Sequence, residues 1–237
     1  MRSGESRPGD YGQFCPLSRA AEVVCQRWTP QILRELLLGS TRFNEIRRGV
    51  PTCPPATLAK RLKELQAAGV VDHDPIDATY TLTQAGKELL PVIQGLGEWG
   101  HRWVRTEYGP DDLDPTLLLW DVRRFLRPGS FGEARTVVQI TFPDLPARRR
   151  YFWVVDDGRD VDLCLTDPGT PVDAEISADL RALTQIWLGD ACFDDALKDG
   201  RISLQGPAHL TRTIPDWFGQ HPVMAIVVPG AKAVPTR

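Results

Sequence analysis

The chain has 237 residues, 28 Lys+Arg against 31 Asp+Glu and a formal net charge of −3; at the usual ~100 to 200 residues per domain, two compact units are expected. Charge is divided unevenly: residues 1–105 hold 14 Lys+Arg against 11 Asp+Glu, and residues 106–237 hold 14 against 20, so the acidic second part is a poor candidate for a phosphate-binding surface. No apolar run approaches the ~20 residues that span a bilayer, and the opening MRSGESRPGD lacks the apolar core of a signal peptide, which predicts a soluble, cytoplasmic chain with no membrane partner. Five cysteines, at 15, 25, 53, 164 and 192, form no CxxC pair and have no neighbouring histidine. Reduced thiols are therefore expected, with no disulfide framework, no metal and no cofactor.

Pro16 suits a first helical turn, and Leu17, Ala20, Ala21, Val24 and Trp28 then fall on one apolar stripe. Thr29 and Pro30 read as a cap and first-turn pair for a second helix, whose Ile32, Leu33, Leu36 and Leu37 face inward until Gly39. Phe43, Ile46 and Val50 mark a short third helix before Pro51. The fourth starts at Pro55. Its Leu58, Leu62 and Leu65 share a face, and a step of about 100° per residue turns Ala56, Lys60 and Lys63 the other way, flanked by Thr57 and Ala59, with Arg61 at the margin. Gly69 stops this helix, Val70–Val71 and Tyr80–Leu82 make two short strands, and Thr83 caps the next helix. Leu89, Val92, Ile93, Leu96, Trp99 and Trp103 continue at helical spacing toward residue 105, with Pro91 expected to kink the path.

A helix with leucines inside and cations outside is commonly just a solvated face. Here small and basic residues face outward together, which would admit the helix to a major groove ~12 Å wide. The order helix, helix, ribbon is that of a winged helix-turn-helix. The runs Cys15-Pro-Leu-Ser-Arg-Ala, Arg27-Trp-Thr, Arg42-Phe-Asn-Glu-Ile-Arg-Arg, Leu58-Ala-Lys-Arg-Leu-Lys-Glu-Leu, Ala68-Gly-Val-Val and Tyr80-Thr-Leu-Thr-Gln-Ala-Gly resemble the HxlR-type transcriptional regulators over about residues 11–105. That resemblance implies a homodimer on an inverted repeat of double-stranded DNA. Arg42, Ala56, Thr57, Lys60, Arg61, Lys63 and His73 are the DNA-facing candidates. The chain departs from the family in two places: Pro54 stands where a capping Ser or Thr is usual, and residues 72–79, Asp-His-Asp-Pro-Ile-Asp-Ala-Thr, make an acidic wing with His73 as its one source of positive charge. The tryptophan-bearing last helix either packs on its own domain or, as the resemblance implies, pairs with its counterpart and with residues 14–27 of a second subunit.

Two motifs are discounted. Gly95-Leu-Gly-Glu-Trp-Gly100 satisfies GxGxxG inside a helical repeat with no preceding strand, and Asp156-Asp-Gly-Arg-Asp160 reads as a hairpin turn rather than a metal loop. Cys15, just before Pro16, would feel the positive end of a helix dipole, making it a redox candidate; packing alone is the competing reading.

Residues 106–114 form a polar linker, and residues 115–230 read as an α+β domain with a mostly antiparallel sheet. Asp114–Pro115 caps a helix to Phe125; strands are predicted at 136–142, 151–155, 161–165, 202–204 and 223–228, and helices at 178–188, 191–198 and 208–218. The segments Val161-Asp-Leu-Cys-Leu, residues 178–190, residues 193–207 and Leu210 to Phe218 resemble sterol-carrier-protein-like domains. That resemblance implies an apolar cavity for lipid-like molecules, lined by Phe142, Trp153, Leu163, Leu165, Leu183, Trp187, Phe193 and Trp217; a filled core is the alternative. No catalytic constellation stands out, so no enzyme activity is expected. Three functions are compatible: a dimeric regulator tuned by a hydrophobic effector, a lipid carrier with a weakened DNA module, or a thiol switch through Cys15.

Overall fold

The computed structural model describes residues 11–104, 108–129, 131 and 134–218. Two compact units meet in sequence between Arg105 and Thr106.

The first unit holds α1 (Pro16–Val24), α2 (Thr29–Leu37), α3 (Phe43–Gly49), α4 (Pro55–Ala67), β1 (Val71–Asp74), β2 (Thr79–Leu82), α5 (Gln84–Lys87) and α6 (Leu90–Trp103). Ile32 and Leu33 of α2, Ile46 of α3, Leu58, Leu62 and Leu65 of α4 and Ile93 of α6 are packed in one core. These are the apolar stripes of the sequence closed on one another, and removing such surface from water is what drives the packing. Two details differ from expectation. Thr29 is already the first residue of α2, and the cap position belongs to Trp28 in the left-handed region at φ 77°. Pro91 makes no kink, because the helix restarts at Leu90 and places the proline in its first turn, where a missing N–H costs nothing. Thr83 does cap α5, its hydroxyl accepting from the Gly86 amide at 3.1 Å.

The second unit opens with a 3-10 turn (Pro110–Asp112), and its first α-helix is α7 (Pro115–Arg123), capped by the Asp114 carboxylate, which accepts from the Thr116 and Leu117 amides. Its sheet has the order β5-β4-β3-β6-β7, with β3 (Thr136–Thr141), β4 (Tyr151–Asp156), β5 (Val161–Cys164), β6 (Ala174–Ala178) and β7 (Ile202–Gln205). Every neighbouring pair is antiparallel except β3 with β6. Helices α8 (Leu180–Leu188), α9 (Phe193–Lys198), α10 (Ala208–Thr211) and α11 (Ile214–Trp217) complete it. The fold class is thus a helical winged helix-turn-helix region followed by an α+β region.

Strand β6 occupies residues to which the sequence assigns no element, apart from Ala178, the first residue of the expected helix; α8 begins at Leu180, capped by Asp179 accepting from the Ala182 amide at 2.7 Å. The single helix expected over 208–218 is two, with Pro215 in the first turn of the second. The Asp156–Asp160 segment is a hairpin turn, in which the Asp157 carboxylate accepts from the Arg159 and Asp160 amides at 2.9 and 2.8 Å. Those amides hold the Asp157 carboxyl below the usual carboxylate range. The strand expected at 223–228 lies outside the described residues. No described helix is long and apolar enough to cross a membrane.

Candidate nucleic-acid interface

Helix α4 presents two chemically different faces. Leu58, Leu62 and Leu65 are buried in the core, while Ala56, Lys60 and Lys63 are exposed and Thr57 is half-buried. The Lys60 side chain is 69% exposed and reaches to 3.8 Å of Glu64, a surface pair that leaves the ammonium available to another anion. No side chain caps α4: Pro54 occupies the cap position and the helix opens with Pro55.

Helix α3 leads into this face. Its first turn is closed by Glu45, whose carboxylate accepts from the Thr41 and Arg42 amides at 2.8 and 2.9 Å. Arg42 and Arg47 are exposed and Arg48 half-buried. The turn between α2 and α3 is built on Glu35, fully buried, which accepts from the Ser40 hydroxyl at 3.2 Å and pairs with Arg34 at 3.1 Å. Gly49 passes so close that a Cβ there would overlap the Glu35 carboxyl group. A buried acid was not read from the sequence; the proximity of Ser40 and Gly49 to it depends on the turn closing.

The wing is short. Val71 pairs with Leu82 and Asp74 with Thr79, and the Thr41 carbonyl accepts from the Tyr80 amide at 2.7 Å while Arg42 bridges to Thr79. This third edge fixes Arg42 beside the ribbon. At the tip, the Asp74 carboxylate accepts from the Ile76 amide at 2.8 Å, so the turn is stapled by an acid, and Ile76 stands 91% exposed. His73 is half-buried against Tyr80, ring centroids 4.4 Å apart. Asp72, Asp74 and Asp77 are all exposed, so the wing carries negative charge where a cation would be needed for phosphate.

Arg61 is placed apart from its neighbours. It is 16% exposed; its Nε donates to the Arg27 carbonyl at 3.0 Å and its guanidinium pairs with Glu64. The structure therefore brings Arg42, Ala56, Lys60 and Lys63 to the surface, leaves Thr57 half-buried beside them and turns Arg61 inward.

Elsewhere in this unit, Val92, Leu96, Trp99 and Trp103 stand exposed along α6, Trp103 by 67%, and Phe14 and Leu17 are exposed at the start of α1. Residues 95–100 lie wholly inside α6, which leaves the GxGxxG match without a loop. Cys15 is the cap residue of α1 and its sulfur makes no cap hydrogen bond, but the nearby Ser18 and Leu17 amides draw its pKa below the ordinary thiol value. Burial pushes the Cys53 thiol the other way.

Of the eight pocket candidates in the second unit, Phe142, Leu163, Leu183, Trp187, Phe193 and Trp217 belong to one core cluster. The rings there meet directly: Phe125–Trp187 at 5.4 Å, Phe131–Trp217 at 4.9 Å and Phe142–Phe152 at 5.8 Å. Trp153 does not join them. Strand alternation sends it to the other face of the sheet with Val137 and Val155. Leu165, beyond the end of β5, is 46% exposed.

The HxlR-like helix-turn-helix profile matches residues 23–108. YvaP of Bacillus subtilis, an uncharacterized HTH-type transcriptional regulator, is 36% identical over 101 residues, which cover 40% of this chain and 94% of YvaP. Among solved structures, quinone-bound YodB of B. subtilis is 33% identical, covers 38% of this chain and 100% of its own, and has a TM-score of 0.35. A ubiquinone synthesis protein, UbiJ-SCP2, is 13% identical, covers 54% of this chain and 94% of its own, and has a TM-score of 0.29, too low a likeness to transfer a function.

Proposed function

Because the chain belongs to the HxlR-like helix-turn-helix family and its relatives are transcriptional regulators, we propose that this DNA-binding regulator works as a homodimer that lays one α4 in each half of an inverted repeat. The observation that carries the reading is the exposed row Ala56, Lys60 and Lys63 on a helix whose leucines are all buried. Ala56 and Thr57 bring methyl groups to thymine at close approach, and Lys60 and Lys63 reach guanine or phosphate. Arg42 and the neighbouring Arg47 add backbone contacts from the start and end of α3. His73 stacks on Tyr80 and contributes little to a wing made of aspartates. Dimerisation through α6 would cover Leu96, Trp99 and Trp103, an exposed apolar row that a monomer would leave in water.

Selection from a randomised duplex pool followed by nuclease protection tests this. Two protected blocks about one helical turn apart, roughly 34 Å or a multiple, are expected. Failure to enrich any sequence, or a single unrepeated block, would overturn it.

The acidic second unit then serves as the sensor for a hydrophobic effector. Because its aromatic residues are packed ring against ring, such a ligand must displace or repack core side chains. It acts only through unequal affinity for two states. Thermal shift against fatty acids and aromatic polyketide-like compounds checks this. A thiol-responsive layer is favoured by one observation, the place of Cys15 at the cap position of α1, where the positive end of the helix favours a thiolate.

A further inference from the structure

We propose that Arg61 is a positioning residue that fixes the attitude of α4 by tying it to the corner between α1 and α2; this rests on the reading of α4 as the DNA-facing helix. Arg61 follows Lys60 directly, yet its side chain is 16% exposed where that of Lys60 is 69% exposed. The guanidinium is used in two directions at once. Nε donates to the Arg27 carbonyl at 3.0 Å, a contact across 34 residues of sequence, and the Nη1 end pairs with Glu64 on the next turn of α4.

The acceptor belongs to a rigid corner. Arg27 is followed by Trp28, held at φ 77°, a conformation that an aromatic residue enters only under compulsion from its surroundings. The Trp28 carbonyl accepts from the amide of Ile32 at 3.0 Å, and Ile32 is fully buried, so the corner is anchored in the core. The Arg27 guanidinium lies 5.4 Å from the Trp28 ring and closes the same corner from outside.

A planar fork can serve a carbonyl and a carboxylate simultaneously; a lysine ammonium on its flexible stem cannot hold both directions. For Arg61 to reach a groove it would have to give up both partners. Its contribution to binding is therefore indirect. It transmits the placement of the α1–α2 corner to the face that carries Lys60 and Lys63. Because α1 ends at Val24, three residues before Arg27, a displacement of α1 reaches α4 through this strut.

The test uses full-length Arg61→Ala and Arg61→Lys beside Lys63→Ala. In the absence of DNA, hydrogen exchange is followed at the amides of residues 28–32 and 55–67. Both Arg61 variants are expected to exchange faster there, and Lys63→Ala to match the wild type. Each protein is then titrated with the duplex the wild type selects, from about 50 to 200 mM salt. For Arg61→Ala, affinity is expected to fall roughly tenfold with the slope of log K against log salt unchanged, since no phosphate contact is lost. Should Arg61→Ala fail to fold, Arg61→Lys carries both readouts. Unchanged exchange together with a flatter slope would make Arg61 a phosphate contact and overturn the proposal, as would wild-type behaviour of Arg61→Lys in both measurements. If the wild type selected no duplex, the DNA reading would fail instead, while the exchange arm would still decide whether the strut exists.

Discussion

Replacing Lys60 and Lys63 together by alanine removes the cations of the exposed α4 face and leaves Arg42 and Arg47, the exposed arginines of the α3 region. Four such cations per subunit let a dimer neutralise up to about eight phosphates, which sets a salt slope of about −7. Between about 50 and 200 mM salt the wild type should then lose about four decades of affinity for a non-specific duplex. The double variant, with about four phosphates engaged, should show a slope of about −3.6 and lose about two decades. Lys63→Ala alone should flatten the plot at least as much as Lys60→Ala, because Lys60 already shares its charge with Glu64 at 3.8 Å. Fluorescence anisotropy on a labelled duplex reads all four proteins. Parallel plots for the wild type and double variant would refute the reasoning, since they would mean that this face never meets a phosphate.

Gly86→Ala would drive a Cβ into the Val70 carbonyl oxygen, backbone that cannot swing aside; urea unfolding should show a loss of about 2 to 3 kcal/mol for the first unit. Gly49→Ala would push the buried Glu35 carboxylate off Ser40 and Arg34, at a cost of about 3 kcal/mol by the same assay, and an unshifted midpoint would argue that Glu35 has room to move. Alkylation by iodoacetamide follows the thiolate, so Cys15, held low by the Ser18 and Leu17 amides, should reach half-maximal rate at a lower pH than Cys53, raised by burial. In denaturant the two midpoints should converge; if they are already equal in the folded protein, the amides do not act on the Cys15 sulfur. If the proposed dimer forms through α6, Leu96→Lys with Trp99→Lys should sediment as a monomer where the wild type sediments as a dimer, and equal masses for the two proteins would refute that interface.

Where an element's physics is local, the sequence carried it. Proline at the first turn, leucines every three or four residues and a glycine stop were enough to find α4, and Thr83 and Asp114 cap where their hydroxyl and carboxylate predict. Two misses, the absent kink at Pro91 and the break before Pro215, come from a proline opening a new helix; the others follow from tertiary closure. Trp28 sits at positive φ because the corner must turn, and nothing in its own chemistry announces that. Arg61 reads from the helical wheel as a marginal surface cation; only the approach of the Arg27 carbonyl makes it a strut. Strand β6 alternates Ala174, Ile176 and Ala178 inward, a signal too poor in bulky side chains to separate from the helix after it. Trp153 looked like a lining residue among others, but one step of register on β4 puts it on the opposite side of the sheet from Phe152 and Val154.

The stapled aspartate tip of the wing bears on which promoters this protein can choose. Tracts of adenine narrow the minor groove and deepen its negative potential, a feature that regulators exploit by inserting a cation there. A tip holding Asp74, Ile76 and Asp77 gains nothing from that potential and is repelled by it. Enriched binding sites should accordingly concentrate their information in two major-groove blocks, with flanking base composition left flat.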